Sequence, residues 1–276
     1  MHFTKYTGLG NDFIFLDGEN AQTLADPKKT ARQLCDRRMG IGADGLILLL
    51  PSKVADVRMR IINSDGSEAE MCGNASRCVP LHLIQTGAAC QSQVIIDTLA
   101  GLIKTEVLDV NKGLVRVNMG IPHYTCKEVP MQGPQDAKAL QIPLTINGIT
   151  YKGTGVSMGN PHFVIRVEDA ENFPVAQIGP QVENSSYFPQ KTNVEFVQVL
   201  NKDTVRMRVW ERGAGITRAC GTGACATAVA GVLNGWTNPC VTVKLDGGDL
   251  QIQWPEQQAI FMTGPAQKVF EGDIAL

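Results

Sequence analysis

The sequence lacks an excess of charge of either sign. Twenty-five lysines and arginines face 27 aspartates and glutamates, leaving a net charge of −2 and a pI near 6.1. That balance argues against nucleic acid or an anionic membrane as a partner. Long apolar runs are also missing. None approaches the ~18 residues of a membrane span, and Leu46 to Leu50 reads as a short buried strand. Met1-His-Phe-Thr-Lys-Tyr6 contains no apolar signal core, so the expected location is the cytoplasm. Histidine is scarce, with four residues, and His2, His82 and His123 lie in no motif. No lysine occupies a recognisable cofactor motif. Gly40-Ile-Gly-Ala-Asp-Gly45 lacks the Lys-Ser/Thr of a phosphate loop and precedes a strand rather than a helix. No cofactor is expected.

Cysteine, in contrast, is plentiful, with eight residues. A chain of 276 residues has room for two domains with a core in each, so a disulfide framework is not needed. Four thiolates from Cys72, Cys78, Cys220 and Cys225 could hold zinc, but C-x5-C and C-x4-C are not the two-residue spacings of ribbons and fingers. No metal is expected, and a zinc-stabilised binding module stands as the non-enzyme alternative. Cys35, Cys90, Cys126 and Cys240 read as small buried apolar residues.

The cysteines stand in an internal repeat. A shift of 148 positions lays Val57-Arg-Met-Arg60 on Val205-Arg-Met-Arg208 and Cys72-Gly73 on Cys220-Gly221. Without a gap, six of the seventeen positions from Val57 to Gly73 match. A further match, Gly10-Asn-Asp-Phe13 with Gly159-Asn-Pro-His-Phe163, takes a one-residue gap. Order and spacing kept over three blocks indicate a duplication.

Each half follows one plan. In the first, strands are expected near 2–7, 12–16, 46–50 and 57–61, with a helix over Pro27–Arg38. A second helix runs from Cys72 to about Gln85, and strands follow at 93–98, 101–107 and 113–118. The stretch 121–149, with four prolines and little periodicity, opens the second half. There, strands are expected near 150–157, 162–167, 194–199 and 205–209, with a loop at Gln181–Pro189. A helix runs from Cys220 to near Gly235, before strands at 240–244, 249–253 and 259–263. The expected class is α+β (mixed α/β). Two pseudo-symmetric halves, 1–120 (completed by about 264–276) and 121–263, each wrap a curved, mostly antiparallel sheet or barrel around a central helix.

A cysteine at a helix start has a physical use. Unpaired N–H groups and the positive end of the helix dipole favour a thiolate by ~0.3–2 kcal/mol. The same N–H groups can receive a carboxylate. Two such cysteines, facing one another across a cleft, supply what inversion of a carbon requires. One thiolate removes a proton, the carbon becomes planar, and the opposite thiol returns a proton to the other face. A cysteine hydrolase would need one cysteine and a histidine base, and gives no reason for a matching second thiol. His162 is the histidine placed to tune a thiol. Glu211-Arg212 falls in register with Asn63-Ser64. Arg212 suits a carboxylate held by a forked hydrogen-bond pair, and Glu211 suits an ammonium group or a nearby thiol. Asn11, Asn160 and Asn193 adjoin glycine-rich or strand-end loops.

These motifs resemble one family. Thr7-Gly-Leu-Gly-Asn-Asp-Phe13, Met71-Cys-Gly-Asn-Ala-Ser-Arg-Cys78, Gly159-Asn-Pro-His-Phe163, Thr192-Asn-Val-Glu-Phe196 and Glu211-Arg-Gly with Ala219-Cys-Gly-Thr-Gly-Ala-Cys225 are similar to those of diaminopimelate epimerases, in the same order. The resemblance implies a cofactor-independent interconversion of LL- and meso-diaminopimelate, serving lysine and peptidoglycan precursors, by a homodimer. It implies Cys72 and Cys220 as the acid/base pair, tuned by His162 and Glu211. Asn11, Asn63, Asn160, Asn193, Glu211 and Arg212 become substrate contacts, and Gly73-Asn74 and Gly221-Thr222 receive the reacting carboxylate. Ala75 departs from a glycine found in many members, and Gly45 from a polar glutamine found in some. A proline or hydroxyproline racemase shares the two-cysteine logic and is the enzyme alternative.

Overall fold

In the computed structural model the described residues are 1–255 and 258–275, so Leu276, the last residue of the expected completing segment, lies outside them. The fold is mixed α/β. It divides into two compact units, Met1–Asn118 with Thr263–Leu276, and Met119–Met262.

The first unit opens with the hairpin β1 (His2–Gly8) and β2 (Asn11–Leu16). Both loop residues have positive φ, 60° at Leu9 and 85° at Gly10, as a tight two-residue connection requires. A leucine held there is strained, and it fixes the position of Asn11 immediately beyond. α1 (Gly18–Gln22) follows, then α2 (Pro27–Cys35), where Asp26 caps Lys29 N at 3.0 Å and Pro27 sits in the first turn. α2 ends short of the expected Arg38, because Asp36 turns the chain and accepts from Arg38 N and Met39 N. β3 (Gly45–Leu50) runs parallel to β2, and β4 (Val57–Asn63) pairs antiparallel with β3. After β5 (Glu68–Ala69), α3 (Gly73–Gln85) is buried through residues 73–82. It packs on β1 and on the antiparallel β7 (Gly101–Asp109) and β8 (Leu114–Asn118), which follow β6 (Gln93–Thr98).

In the second unit, β9 (Ile142–Ile146), β10 (Ile149–Ser157) and β11 (Pro161–Arg166) form an antiparallel meander. α4 (Val175–Glu183) leads to β12 (Asn193–Asn201), parallel to β11, and then to β13 (Thr204–Glu211) and β14 (Gly215–Ile216). α5 (Gly221–Leu233), almost wholly apolar and buried, packs on β10, β11 and β12 and on the hairpin β15 (Cys240–Leu245) and β16 (Gly248–Gln253). The chain then returns through β17 (Phe261–Pro265) to β18 (Gln267–Asp273), which pairs antiparallel with β1.

Further local expectations need correction. Cys90 and Cys240, expected to be buried, are exposed, whereas Cys35 and Cys126 are buried. Gln181 to Glu183 is the last turn of α4 rather than loop; Gly179 and Pro180 mask its periodicity, although Val175, Ile178 and Val182 are buried on one face. Glu183, itself buried, takes Trp210 Nε1 at 2.7 Å and Gly213 N at 3.1 Å, so the end of α4 braces the Glu211-Arg212 turn. The stretch 121–149 contains β9. The one-residue gap in the repeat is also unnecessary. Ile62 and Trp210, matched by the ungapped shift of 148, lie opposite Leu46 and Val194. The parallel ladders then pair Ile14 with Leu46 and Phe163 with Val194, so Phe13 corresponds to His162 rather than to Phe163.

Candidate active site

The two central helices begin alike. Cys72 precedes Gly73 as the N-cap of α3 with φ −141° and ψ 116°; Cys220 precedes Gly221 as the N-cap of α5 with φ −119° and ψ 109°. Extended backbone at the cap sets each cysteine at the helix start, where first-turn N–H groups have no partner within the helix; the Cys220 sulfur accepts from one of them, Gly223 N, whereas Cys72 makes no side-chain cap hydrogen bond. A glycine in the first turn leaves that start open.

Around Cys72 the groups are mostly amides. Its Sγ donates to Asn11 Oδ1 at 3.7 Å, and that oxygen also accepts from Asn74 Nδ2 at 3.2 Å. Asn74 Oδ1 accepts from Arg77 Nη2 at 3.0 Å, and Arg77, fully buried, also donates to Pro265 O at 3.1 Å. On its other side Asn11 Nδ2 donates to Asp44 Oδ2 at 2.6 Å, which fixes the direction of the Asn11 oxygen. Arg37 holds both Asp12 and Asp44. Burial pushes the Asp12 carboxyl up, but hydrogen bonds and charge from Arg37 and Lys5 outweigh it and hold its pKa at about 2. Asn63 Nδ2 donates to Ser67 Oγ at 2.9 Å, within the turn after β4.

Around Cys220 the groups are ionisable. The thiol is 5% exposed, accepts from Gly223 N at 3.4 Å and lies 3.5 Å from Thr222 Oγ1. Burial pushes it well above the ordinary thiol range, and the carboxylates of Glu211 and Glu195 push the same way. Glu211 is itself raised by burial and by Glu195, against the pull of the Thr217 hydroxyl, His162 and Cys220. His162 Nδ1 is 2.7 Å from Glu195 Oε1, and its Nε2 is 3.1 Å from Asn160 Oδ1. Asn160 Nδ2 in turn reaches Thr222 Oγ1 at 3.4 Å. Asn193 spends its amide on backbone, accepting from Arg212 N at 2.9 Å and donating to Pro161 O at 2.8 Å. The Arg212 guanidinium is exposed and touches Gln190 O at 3.1 Å.

The sequence model of the family described as diaminopimelate epimerase matches residues 3–125 and 154–269. The chain belongs to the diaminopimelate epimerase family. It is 52% identical over 279 residues to a diaminopimelate epimerase of Moorella thermoacetica, covering 100% of both chains. With that of Elusimicrobium minutum it shares 53% over 274 residues, 99% of this chain and 98% of the relative. Among solved structures, a phenazine biosynthesis protein of the PhzF family from Bacillus anthracis superposes with a TM-score of 0.73 at 16% identity, covering 100% and 99% of the two chains. A probable proline racemase from Agrobacterium radiobacter gives 0.70 at 16%, covering 100% and 93%. At such identities these structures speak for the fold alone.

Within this member of the diaminopimelate epimerase family, the structure gathers the sequence-predicted residues into two clusters. Asn11, Gly73 and Asn74 surround Cys72, whereas Asn160, His162, Glu211, Gly221 and Thr222 surround Cys220. Asn193 braces the Arg212 backbone, and Asn63 bonds within its own turn. Sequence reasoning missed Asp44, Arg77 and Glu195. A signal existed for two of them: Glu195 is the one charge in the buried run Asn193–Val197, and Arg77 the one charge in a small-residue helix start.

Among the described residues, the grouping able to hold a metal ion is His162, Glu195 and Cys220, with ligand atoms within 4.8 Å of one another. It does not include Cys72, Cys78 or Cys225. Burial pushes the Cys78 thiol up to about 12, which disfavours the thiolate that a four-cysteine zinc site needs. Among the described residues no helix is long and apolar enough to cross a membrane.

Proposed function

We propose that the chain interconverts LL- and meso-2,6-diaminopimelate without a cofactor, using Cys72 and Cys220 as the acid/base pair. The observation that carries this reading is the matched pair of helix starts: two 13-residue helices, one per unit, each capped by an extended cysteine before glycine. The chemistry sets the geometry. Removing a proton from one face of an α-carbon and returning one to the other needs a sulfur on each side of that carbon, ~3–3.5 Å away at reaction. In one direction a thiolate takes the Cα proton, breaking C–H and forming S–H. The opposite thiol then gives its proton to the planar carbon. The reverse direction exchanges the roles.

Cys220, held protonated by burial and two carboxylates, is ready as an acid. Glu211, raised by burial and accepting a hydrogen bond from that thiol, takes the thiol's proton when Cys220 must act as a base. The α-carboxylate of the substrate is received by N–H groups at the helix starts, at Gly73-Asn74 and Gly221-Thr222. Arg212, with its guanidinium exposed, suits the carboxylate of the distal amino-acid end. A homodimer working in the cytoplasm belongs to the same proposal.

The test is incubation of LL-diaminopimelate with reduced protein and no added cofactor, followed by chiral chromatography. Appearance of the meso isomer supports the reading. An unchanged substrate, with proline or hydroxyproline racemised in its place, overturns it.

A further inference from the structure

The two units solve one position of the sheet differently. The ladders pair Phe15 with Ile47 in the first unit and Val164 with Glu195 in the second, so Ile47 and Glu195 correspond, as Phe13 and His162 do. Phe13 is 3% exposed and Ile47 0%; His162 and Glu195 are both 0% exposed. One copy of the fold is thus stable with an apolar pair where the other buries an imidazole and a carboxylate. Burial of such a pair costs desolvation that apolar residues of similar size avoid. The fold does not explain it, and Cys220 lies alongside.

The geometry points to Glu195 as a positioning residue that holds the proton of His162 on Nδ1 and presents Nε2 to the Asn160 loop beside Cys220. This rests on the two-thiol reading above. A carboxylate oxygen accepts, so the 2.7 Å contact with Oε1 places a proton on Nδ1. Nε2 is left to face Asn160 Oδ1 at 3.1 Å. A carboxylate that fixes an imidazole by Nδ1 and steadies its positive charge is the same physical device that orients the histidine of serine hydrolases. Among the described residues, the titratable groups facing His162 are Glu195 on β12, Glu211 at the end of β13, and Cys220.

Two further observations place Glu195 at this site. Its Oε2 is fully buried without a hydrogen-bond partner among the described residues, and such an atom is costly unless it serves something. A Cβ at Gly223 would come within 2.7 Å of Glu195 Oε1, so the carboxylate fits under the first turn of α5 because that residue is glycine. The positive end of the helix favours the charge there.

The experiment is long-range proton–nitrogen NMR of protein labelled with nitrogen-15 in its four histidines, His162 being assigned by its loss in H162Q. In the wild type, His162 is expected to keep Nδ1 protonated throughout, as imidazolium or as the Nδ1–H tautomer. In E195I no acceptor faces Nδ1, so the ring no longer holds the Nδ1–H tautomer and the Nε2–H form appears. Turnover should fall with it. A neutral Nε2–H ring in the wild type, or an unchanged tautomer in E195I, overturns the proposal. H162F/E195I copies the pair of the first unit. It should fold with an undiminished melting temperature yet lose turnover; turnover retained in that variant also overturns the proposal. Because the spectra need no substrate, their outcome is independent of whether diaminopimelate is turned over.

Discussion

Cys72 and Cys220 stand at matching helix starts in unlike surroundings. Cys72 is partly exposed and meets neutral amides, with Asn11 fixed by Asp44 and Asn74 by buried Arg77. Cys220 is buried among Glu211, Glu195 and His162. Even the caps of the neighbouring strands differ in kind, since β4 ends in Asn63 where β13 ends in Glu211. A duplicated scaffold keeps the geometry of a thiol at a helix start while its neighbours diverge. What diverged is the chemistry of the neighbours: Asn11 and Asn74 beside Cys72, and Glu211, Glu195 and His162 beside Cys220, whose carboxylates push its thiol up.

The largest effect should come from removing either side of the comparison. Cys72→Ser and Cys220→Ser are each expected to lower turnover by about 10²–10⁴-fold in both directions, because a hydroxyl cannot replace a thiol as proton carrier on its face. Steady-state rates from each isomer check this. Wild-type turnover in either variant would break the two-thiol reading.

A smaller effect should separate the units. Glu211→Gln removes one of the charges that raise Cys220, so its thiolate forms at lower pH. Alkylation of Cys220 by iodoacetamide at pH 8 should rise by about tenfold, the equivalent of one pKa unit, while alkylation of Cys72 stays unchanged. Peptide mapping reads both sites in one sample. Equal acceleration at both cysteines would mean that the variant loosens the fold rather than retuning one thiol.

On the other side, Asp44→Asn weakens the grip on Asn11 without touching Cys220. Loss of a charged partner at a half-exposed site should cost about 1 kcal/mol, or roughly fivefold in kcat/KM, with the Cys220 alkylation profile unmoved.

A last effect concerns stability in acid and leaves turnover at neutral pH aside. The folded-state pKa of Asp12 is lowered from 3.8 to about 2. Its contribution is therefore complete above the unfolded pKa near 4 and is lost as pH falls through about 2. Asp12→Asn should remove on the order of 1–2 kcal/mol of that pH dependence. Urea unfolding at pH 6 and pH 2.5 measures it, and a stability difference between those pH values as large as in the wild type would show that the contacts of Asp12 with Arg37 and Lys5 contribute nothing.

Much of the plan was readable in advance because it depends on local rules. Alternation in Val57-Arg-Met-Arg60 and Val205-Arg-Met-Arg208 marks half-buried strands, and cysteine before glycine and small residues marks two helix starts. α4 was hidden because Gly179 and Pro180 are poor helix formers. Gly179 is there because Trp210 packs on it: an added Cβ would lie 2.6 Å from the Trp210 side chain. Glu195 was hidden for a different reason. The strand pattern registers one polar residue among apolar ones, but only the sheet register shows it beside His162 and where the first unit has Ile47. Asp44 acts on Asn11 across 33 residues of sequence, and no local pattern encodes such a contact.

The central claim is that two thiols, not one, handle the proton. The most direct measurement is proton NMR of LL-diaminopimelate in deuterium oxide during the first fraction of a turnover. With two thiols, the proton taken by one sulfur is not the one returned by the other. Every meso molecule should then carry deuterium at the inverted carbon, while the remaining LL substrate keeps its proton. Meso product that retains the original proton, or LL substrate that gains deuterium before meso appears, would mean that a single group works on both faces.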